Sequence, residues 1–434
     1  MKLNTNLGAY AAAAVALGLG LAAGPALAGA KLDKKFDGDG KVTTLFGEQS
    51  QATAVALQTD GKIVAAGYNR DPGIDFDFAL ARYNADGSLD ATFDGDGQVT
   101  TDFGTNGDIA NAVAIQSSDG KIVVAGFANF DIALARYNTN GSLDSTFGTG
   151  GKVLRRINSN CKATAVAIQP IDGKIVVAGN AFTGSGNNFA VARFNTDGTP
   201  DGSFGSGGAV SIHFTALPVE FGNAMLLQDN GQIVVVGQAY SNLNGALNDF
   251  LVARYDSNGD VDTSFGTGGF RQIDFNPNEE AARAVVQQRD GKLLAAGFTF
   301  QNNTGDFALA RLDVSGNLDP TFGIGGKQTT DFASGPGNGD QATAILIQPG
   351  SMLSKDKILL GGYAFIGPNY DFALARYTID GVLDNKFGKN GKLSTAIGPG
   401  DTSDRIAGLA RQSDGKIVAA GGSGLFALTR YKAK

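Results

Sequence analysis

The chain has 434 residues, Lys+Arg 35 against Asp+Glu 42 and a net charge of -7, with the acidic groups scattered and no Lys/Arg block, which speaks against a nucleic-acid or anionic-membrane partner. One cysteine, Cys161, and one histidine, His213, exclude an intramolecular disulfide and any metal centre built from His and Cys. Glycine at 63 residues beside 11 Pro and no Trp calls for many tight turns.

At the N-terminus, Lys2 precedes an apolar run from Leu7 to Leu21 that is too short and too rich in Gly and Ala for a stable membrane span. Ala26-Leu27-Ala28 then offers a small-x-small cleavage site. Residues 1–28 therefore read as a secretory signal peptide and 29–434 as the mature domain starting at Gly29, with the periplasm or the extracellular medium as the expected destination. No second long apolar run follows, so no integral membrane span is expected.

From Leu32 onward the sequence repeats itself. Leu-Asp-x-x-Phe, with Pro or Val allowed for Leu, places its aspartate at Asp33, Asp90, Asp144, Asp201, Asp262, Asp319 and Asp384, at intervals of 57, 54, 57, 61, 57 and 65 residues. An Asp-Gly-Lys-Ile-like turn recurs at Asp60, Asp119, Asp172, Asn230, Asp290, Asp356 and Asp414. An Ala-Arg-Tyr-like triplet recurs around Arg82, Arg136, Arg193, Arg254, Arg311, Arg376 and Arg430. Within the second copy four short strands are expected, at Val99–Phe103, Ala112–Gln116, Lys121–Phe127 and Asp131–Tyr137. Ser118-Asp119-Gly120 suits a tight hairpin between the second and third of these. Apolar residues on both faces of Ile122–Ala125 predict a sheet covered on both sides, and the small residues of Val123-Val124-Ala125-Gly126 suit the crowded part of a wedge.

These features predict an all-β fold, a single closed seven-bladed β-propeller of four-stranded antiparallel blades. The N-terminal Leu32–Phe36 has no blade before it, and the last Arg430-Tyr431 has no Leu-Asp-x-x-Phe after it. The N-terminal segment is therefore expected to close the ring beside the last blade. An open β-solenoid is the alternative; it would leave sheet edges exposed.

The pattern Leu143-Asp144 to Phe147-Gly148, Gly151-Lys152-Val153, Asp172-Gly173-Lys174-Ile175, Gly179 and Phe189 to Phe194 resembles the bacterial delta-60 repeat of exported proteins. The resemblance covers essentially all of the mature chain and implies a propeller-type fold without an established activity. Asn230-Gly231-Gln232, Lys355-Asp356-Lys357 and Pro200-Asp201 depart from its pattern, the second of these in a longer turn.

Each candidate chemistry has a structural counterpart. An arginine such as Arg82 on a covered face needs a carboxylate, and Asp90 is within reach, so the seven Arg–Asp pairs are expected to clamp blades together. Phe36–Gly40 and Phe93–Gly97 read Phe-Asp-Gly-Asp-Gly, which presents oxygens to calcium but also makes a solvated turn. Gly148–Lys152 precedes a strand, not a helix, and so is no phosphate loop. No catalytic, cofactor-binding or metal-ligating residue is singled out, and no cofactor is expected. Function is sought instead where copies differ: the links exemplified by Ala239–Asn248 and Asp331–Asp340, which should share one face, with Pro218, Phe221, Tyr240, Asn242, Asn244, Pro368 and Tyr370. The opposite face should carry the repetitive hairpins, apart from the expanded turn Pro349–Lys355. The expected role is a monomeric, non-enzymatic binding or scaffolding module with a protein or glycan partner. The alternatives are an enzyme acting through carboxylates on a sugar or lactone at the channel, or a calcium-stabilised structural protein.

Overall fold

The N-terminal copy of the repeat does not build a blade of its own; it completes the last one. β1 (Lys31–Leu32) and β2 (Lys41–Thr44) both pair antiparallel with the strand Phe426–Lys432, through Leu32 opposite Tyr431 and Val42 opposite Leu428. The first complete sheet follows as β3 (Gln49–Leu57), β4 (Ile63–Arg70), β5 (Phe76–Tyr83) and β6 (Gln98–Thr101), paired in that order. Five more four-stranded antiparallel sheets span 109–155, 160–212, 219–273, 280–330 and 341–395, and 406–432 with the N-terminal strands makes the seventh. This computed structural model describes residues 31–70, 75–105, 107–217, 219–240, 248–275, 279–301, 304–332, 339–350, 355–398, 403–422 and 424–432. The expected signal segment lies outside them. Among the described residues no helix is long and apolar enough to cross a membrane.

The innermost strand of each blade packs against that of the next, and the seventh against β3, so the ring is closed. Each hydrophobic cluster accordingly spans two blades. Phe36, Val42 and Phe426 share one cluster with Ile63 and Ala81, which ties the N-terminal segment to the first and last blades at once. Tyr83 donates to Thr44 Oγ1 at 2.7 Å across the same junction, as Tyr137 does to Thr101 and Tyr377 to Thr330 at 2.8 Å.

The structure corrects the phase of the repeat. The expected first strand of the second copy, Val99–Phe103, is the outermost strand of the first blade, seen as Gln98–Thr101. A sequence copy is therefore offset by one strand from a blade, and this offset leaves the N-terminal segment free to fill the seventh blade's edge. The remaining strands of the second blade lie at Ile109–Ile115, Ile122–Ala128 and Asp131–Tyr137.

A second feature escaped the alternation pattern. Every innermost strand bulges at the same place, between Ala52 and Ala54, Ala110 and Ala112, and their counterparts. The bulged residue reaches the next blade: Thr53 donates to Ala110 O at 2.7 Å, Asn111 to Ala163 O at 2.8 Å and Thr164 to Gly222 O at 2.8 Å. The bulge also explains the small residue ending Val-Val-Ala-Gly. A Cβ on Gly126 would lie 1.9 Å from Ile109 O, so the facing strand admits only glycine there.

Candidate binding face

Antiparallel blades place the hairpins between first and second strands on one face of the ring, together with the connections from third to fourth. This hairpin face carries an Arg–Asp pair in every blade. Arg82 Nε donates to Asp90 Oδ2 at 2.7 Å, Lys62 Nζ lies 2.9 Å from the same oxygen, and the guanidinium stacks 4.6 Å from the Phe93 ring centre. Its Nη1 donates to Thr139 O of the next blade. The same set recurs at Arg136, Asp144, Lys121 and Phe147, and at Arg193, Asp201, Lys174 and Phe204. Arg311 and Arg376 repeat it on Asp319 and Asp384, each beside a lysine, Lys292 and Lys357. At the closure Arg430 takes Asp33, Lys416 and Phe36, and reaches Ala85 O. All seven Arg–Asp pairs form, and Arg82, Arg136, Arg193, Arg254, Arg311 and Arg430 each also donate to a carbonyl of the neighbouring blade, which makes these the inter-blade clamp the sequence led us to expect.

Departures from the motif are absorbed locally. Gln232 replaces the lysine and donates to Asp262 Oδ2 at 2.8 Å, which Arg254 also holds at 2.7 Å. Lys357, after the turn without glycine, still sits 3.4 Å from Asp384; 351–354 of that turn lie outside the described residues. Pro200-Asp201 keeps the register, with Asp201 N donating to Arg193 O at 2.9 Å. Burial is the largest single influence on the clamp aspartates and pushes their carboxyls up. Hydrogen bonds from neighbouring Thr, Ser and Lys groups and the arginine charge outweigh it, holding all seven below the usual carboxylate range.

Shallow grooves lie between adjacent blades on this face, lined at one junction by Gln58, Asp60, Lys62, Arg82 and Thr139. Similar grooves recur at four other junctions. Repetition marks them as a product of wedge packing around the clamp, not as a ligand site. The two Phe-Asp-Gly-Asp-Gly segments are exposed turns on the same face. Asp37 and Asp94 take left-handed φ of 48° and 49°, and Asp39 and Asp96 accept the N–H of Lys41 and Gln98 at 2.8 Å. Their second carboxylates cap their own turns.

The opposite face differs from blade to blade. Phe221 and Tyr240 stack at 5.7 Å, so these two expected residues come together. Tyr370 meets Tyr363 and Phe365 edge-on at 5.2 and 5.3 Å, and Arg405 lies 4.7 Å over Tyr363 and 5.1 Å over Tyr370. Pro368 sits in the turn leading to Asn369, while Pro218, Asn242 and Asn244 lie outside the described residues. Lys162 and Arg283, on the innermost strands of the third and fifth blades, are held below their usual basicity by burial, Lys162 also by the charge of Arg283. These groups give the inner part of the face an aromatic and cationic character.

Farther out, three positions per blade meet on this face: the residue before the phenylalanine of the third strand (Ile132 in the second blade), the residue after the outermost strand, and the residue three before the next blade's bulged residue. Asp77, Asp102 and Asp108 fill them in the first blade, Asp249, Asp274 and Glu280 in the fourth, and Asp306, Asp331 and Asp340 in the fifth; in each set one oxygen per residue lies within 4.8 Å of the others. In the second blade they hold Asp131, Arg156 and Cys161, with Arg156 Nε donating to Asp131 Oδ1 at 2.5 Å. In the third they hold Asn188, His213 and Glu220, with His213 Nδ1 3.5 Å from Glu220 Oε1. The lone cysteine and histidine thus occupy repeat positions. The third position caps the loop before it: Asp108 accepts Phe103 N at 2.7 Å, Asp340 accepts Phe332 N at 2.7 Å, and Cys161 Sγ accepts Ile157 N at 3.4 Å. Burial, and behind it the charges of Asp331 and Asp340, push the Asp306 carboxyl up to about 6. The motif survey passed over these acids, although Thr101-Asp102-Phe103 and Thr330-Asp331-Phe332 recur in register with the copies.

Six segments of the chain, 58–93, 117–147, 172–204, 228–265, 288–322 and 356–387, match a family model described as "Domain of unknown function (DUF5122) beta-propeller". No curated protein matches the chain. Among solved structures it is similar to Sqt1 from Chaetomium thermophilum, at 12% identity and a TM-score of 0.47 over 90% of this chain and 98% of that one. It is also similar to a glucose dehydrogenase, at 12% identity and 0.45 over 75% and 96%. The intramolecular trans-sialidase from Ruminococcus gnavus follows at 10% and 0.42 over 94% and 98%. By its seven blades and its matched segments, the chain is a β-propeller repeat protein with repeats like those of the DUF5122 β-propeller family.

Proposed function

We propose that the chain is an exported, non-enzymatic binding or scaffolding propeller, monomeric, that engages a protein or glycan partner through the face opposite the hairpins. One observation carries this reading: the hairpin face repeats one clamp seven times, whereas the opposite face changes its aromatic and charged side chains from blade to blade. In a repeat protein the shared residues serve the fold and the differences serve recognition. The half-buried Phe221, Tyr240 and Tyr370, the last packed on buried Tyr363 beneath exposed Arg405, are the kind of aromatic and arginine groups that anchor interfaces. Export rests on residues 1–28 and their signal-like pattern, and the resemblance to the delta-60 repeat supports it.

The test is capture from envelope and culture fractions with residues 29–434 as bait, beside two variants. One carries Phe221→Ala, Tyr240→Ala and Tyr370→Ala; the other carries Ile171→Ser and Ile324→Ser, the two most exposed large apolar residues of the hairpin face. A partner lost with the first variant and kept with the second supports the reading. A partner lost only with the second variant overturns it.

A further inference from the structure

The Asp306, Asp331 and Asp340 cluster carries a feature that packing does not explain. Asp306 is 7% exposed, and its Oδ1 is shielded from solvent and accepts no hydrogen bond while facing two other carboxylates. A buried carboxylate oxygen without a partner is costly, and the backbone is shaped to produce this arrangement. Gly305 and Gly339 form a bridge between the third strand and the following loop, and a Cβ on Gly305 would sit 3.0 Å from Gly339 Cα. That close approach brings Asp340 N to Gly305 O at 2.6 Å and delivers the Asp340 carboxylate beside Asp306.

The other blades show what the position requires. Where the second blade keeps the first acid, Asp131, it supplies Arg156 at the place of Asp331, and the guanidinium sits on the carboxylate. The third blade supplies His213 there. The fifth blade has a third carboxylate at that place instead, and the nearby Lys392 ammonium is spent on the Asp331 carbonyl at 2.7 Å. All the donors are hard oxygens, which suit calcium or magnesium rather than softer metals. Two oxygens each about 2.4 Å from one calcium ion can be at most ~4.8 Å apart, so the spacing here fits one shared ion.

We propose that Asp306, Asp331 and Asp340 bind a divalent cation of the calcium class on the variable face, doing in the fifth blade what Arg156 does in the second. The site needs no partner molecule and stands independently of the binding role proposed above. The first and fourth blades place three acids at the same positions, so the experiment counts sites rather than assuming one.

Chelator-treated full chain is titrated with calcium chloride by calorimetry and by thermal melting, with magnesium as the comparison cation. Wild type is expected to bind calcium and melt higher with it, and Asp306→Asn is expected to bind one ion fewer. Asp331→Arg, which copies the second blade, is expected to lose the same ion and to melt in chelator at or above the wild-type temperature. This second variant separates loss of the site from loss of the fold. Absence of calcium binding in folded wild type at millimolar concentration overturns the proposal, as does an unchanged number of bound ions in both variants.

Discussion

Acid should dismantle this ring through its clamps. Asp33, Asp90, Asp144, Asp201, Asp262, Asp319 and Asp384 are all held below the usual carboxylate range, so between their folded values and about pH 4 the unfolded chain binds more protons than the folded one. The sign follows: their contribution is fully present above about pH 4 and is lost as pH falls. Asp90, Asp144, Asp201 and Asp319, the four held farthest down, each take up one proton on unfolding, so stability falls by about 5 kcal/mol per pH unit near pH 3. The raised carboxyls of the opposite face carry the opposite sign, gaining stability as pH falls, and add nothing to this loss. Urea melts at half-unit intervals from pH 5 to pH 2.5 give the slope, and Asp90→Asn should reduce it by about 1.4 kcal/mol per pH unit. A slope corresponding to one proton or none, or one unaffected by Asp90→Asn, refutes the clamp as the acid-labile element.

Further substitutions probe other joints of the account. Gly126→Ala should prevent folding or cost more than about 4 kcal/mol, because its Cβ would sit 1.9 Å from Ile109 O. Gly150→Ala, at φ +60° with nothing within 4 Å, should cost only about 1–2 kcal/mol in the same urea melts. Gln232→Lys should restore the charged partner of Asp262 and raise stability by up to ~1 kcal/mol; a loss would show that the fourth blade's amide is the better fit. Removing residues 31–44 should uncover the edge of Phe426–Lys432 and turn a monomer into larger species on light scattering, through the unpaired strand edge.

The repeat, its sevenfold count and the closure by Leu32–Phe36 were legible because they rest on recurring turn chemistry and on a mismatch between the two ends. The Arg–Asp clamp was legible because a guanidinium on a covered strand face has few possible partners. The bulge at Thr53 and its counterparts was not: it adds a residue without a change in hydrophobic pattern, and only the carbonyl pressed against Gly67 or Gly126 shows it. The Asp306 cluster was hidden for another reason. Its members are separated by 25 and 9 residues and converge only when an outermost strand and the following loop fold back on the third strand, so local sequence presents three ordinary acids. The acidic motif that did attract attention, Phe-Asp-Gly-Asp-Gly, closes on its own backbone.

The account stands on a ring closed by pairing of the N-terminal strand with the last one. The direct measurement is oxidation of a Thr43→Cys, Ala427→Cys pair, opposite one another in that register, with Cys161 replaced by serine so that no other thiol competes. A cross-link within one chain, joining the peptides around 43 and 427 under native conditions and abolished in urea, is the predicted result. Free thiols, or cross-links only between chains, would contradict the closed ring.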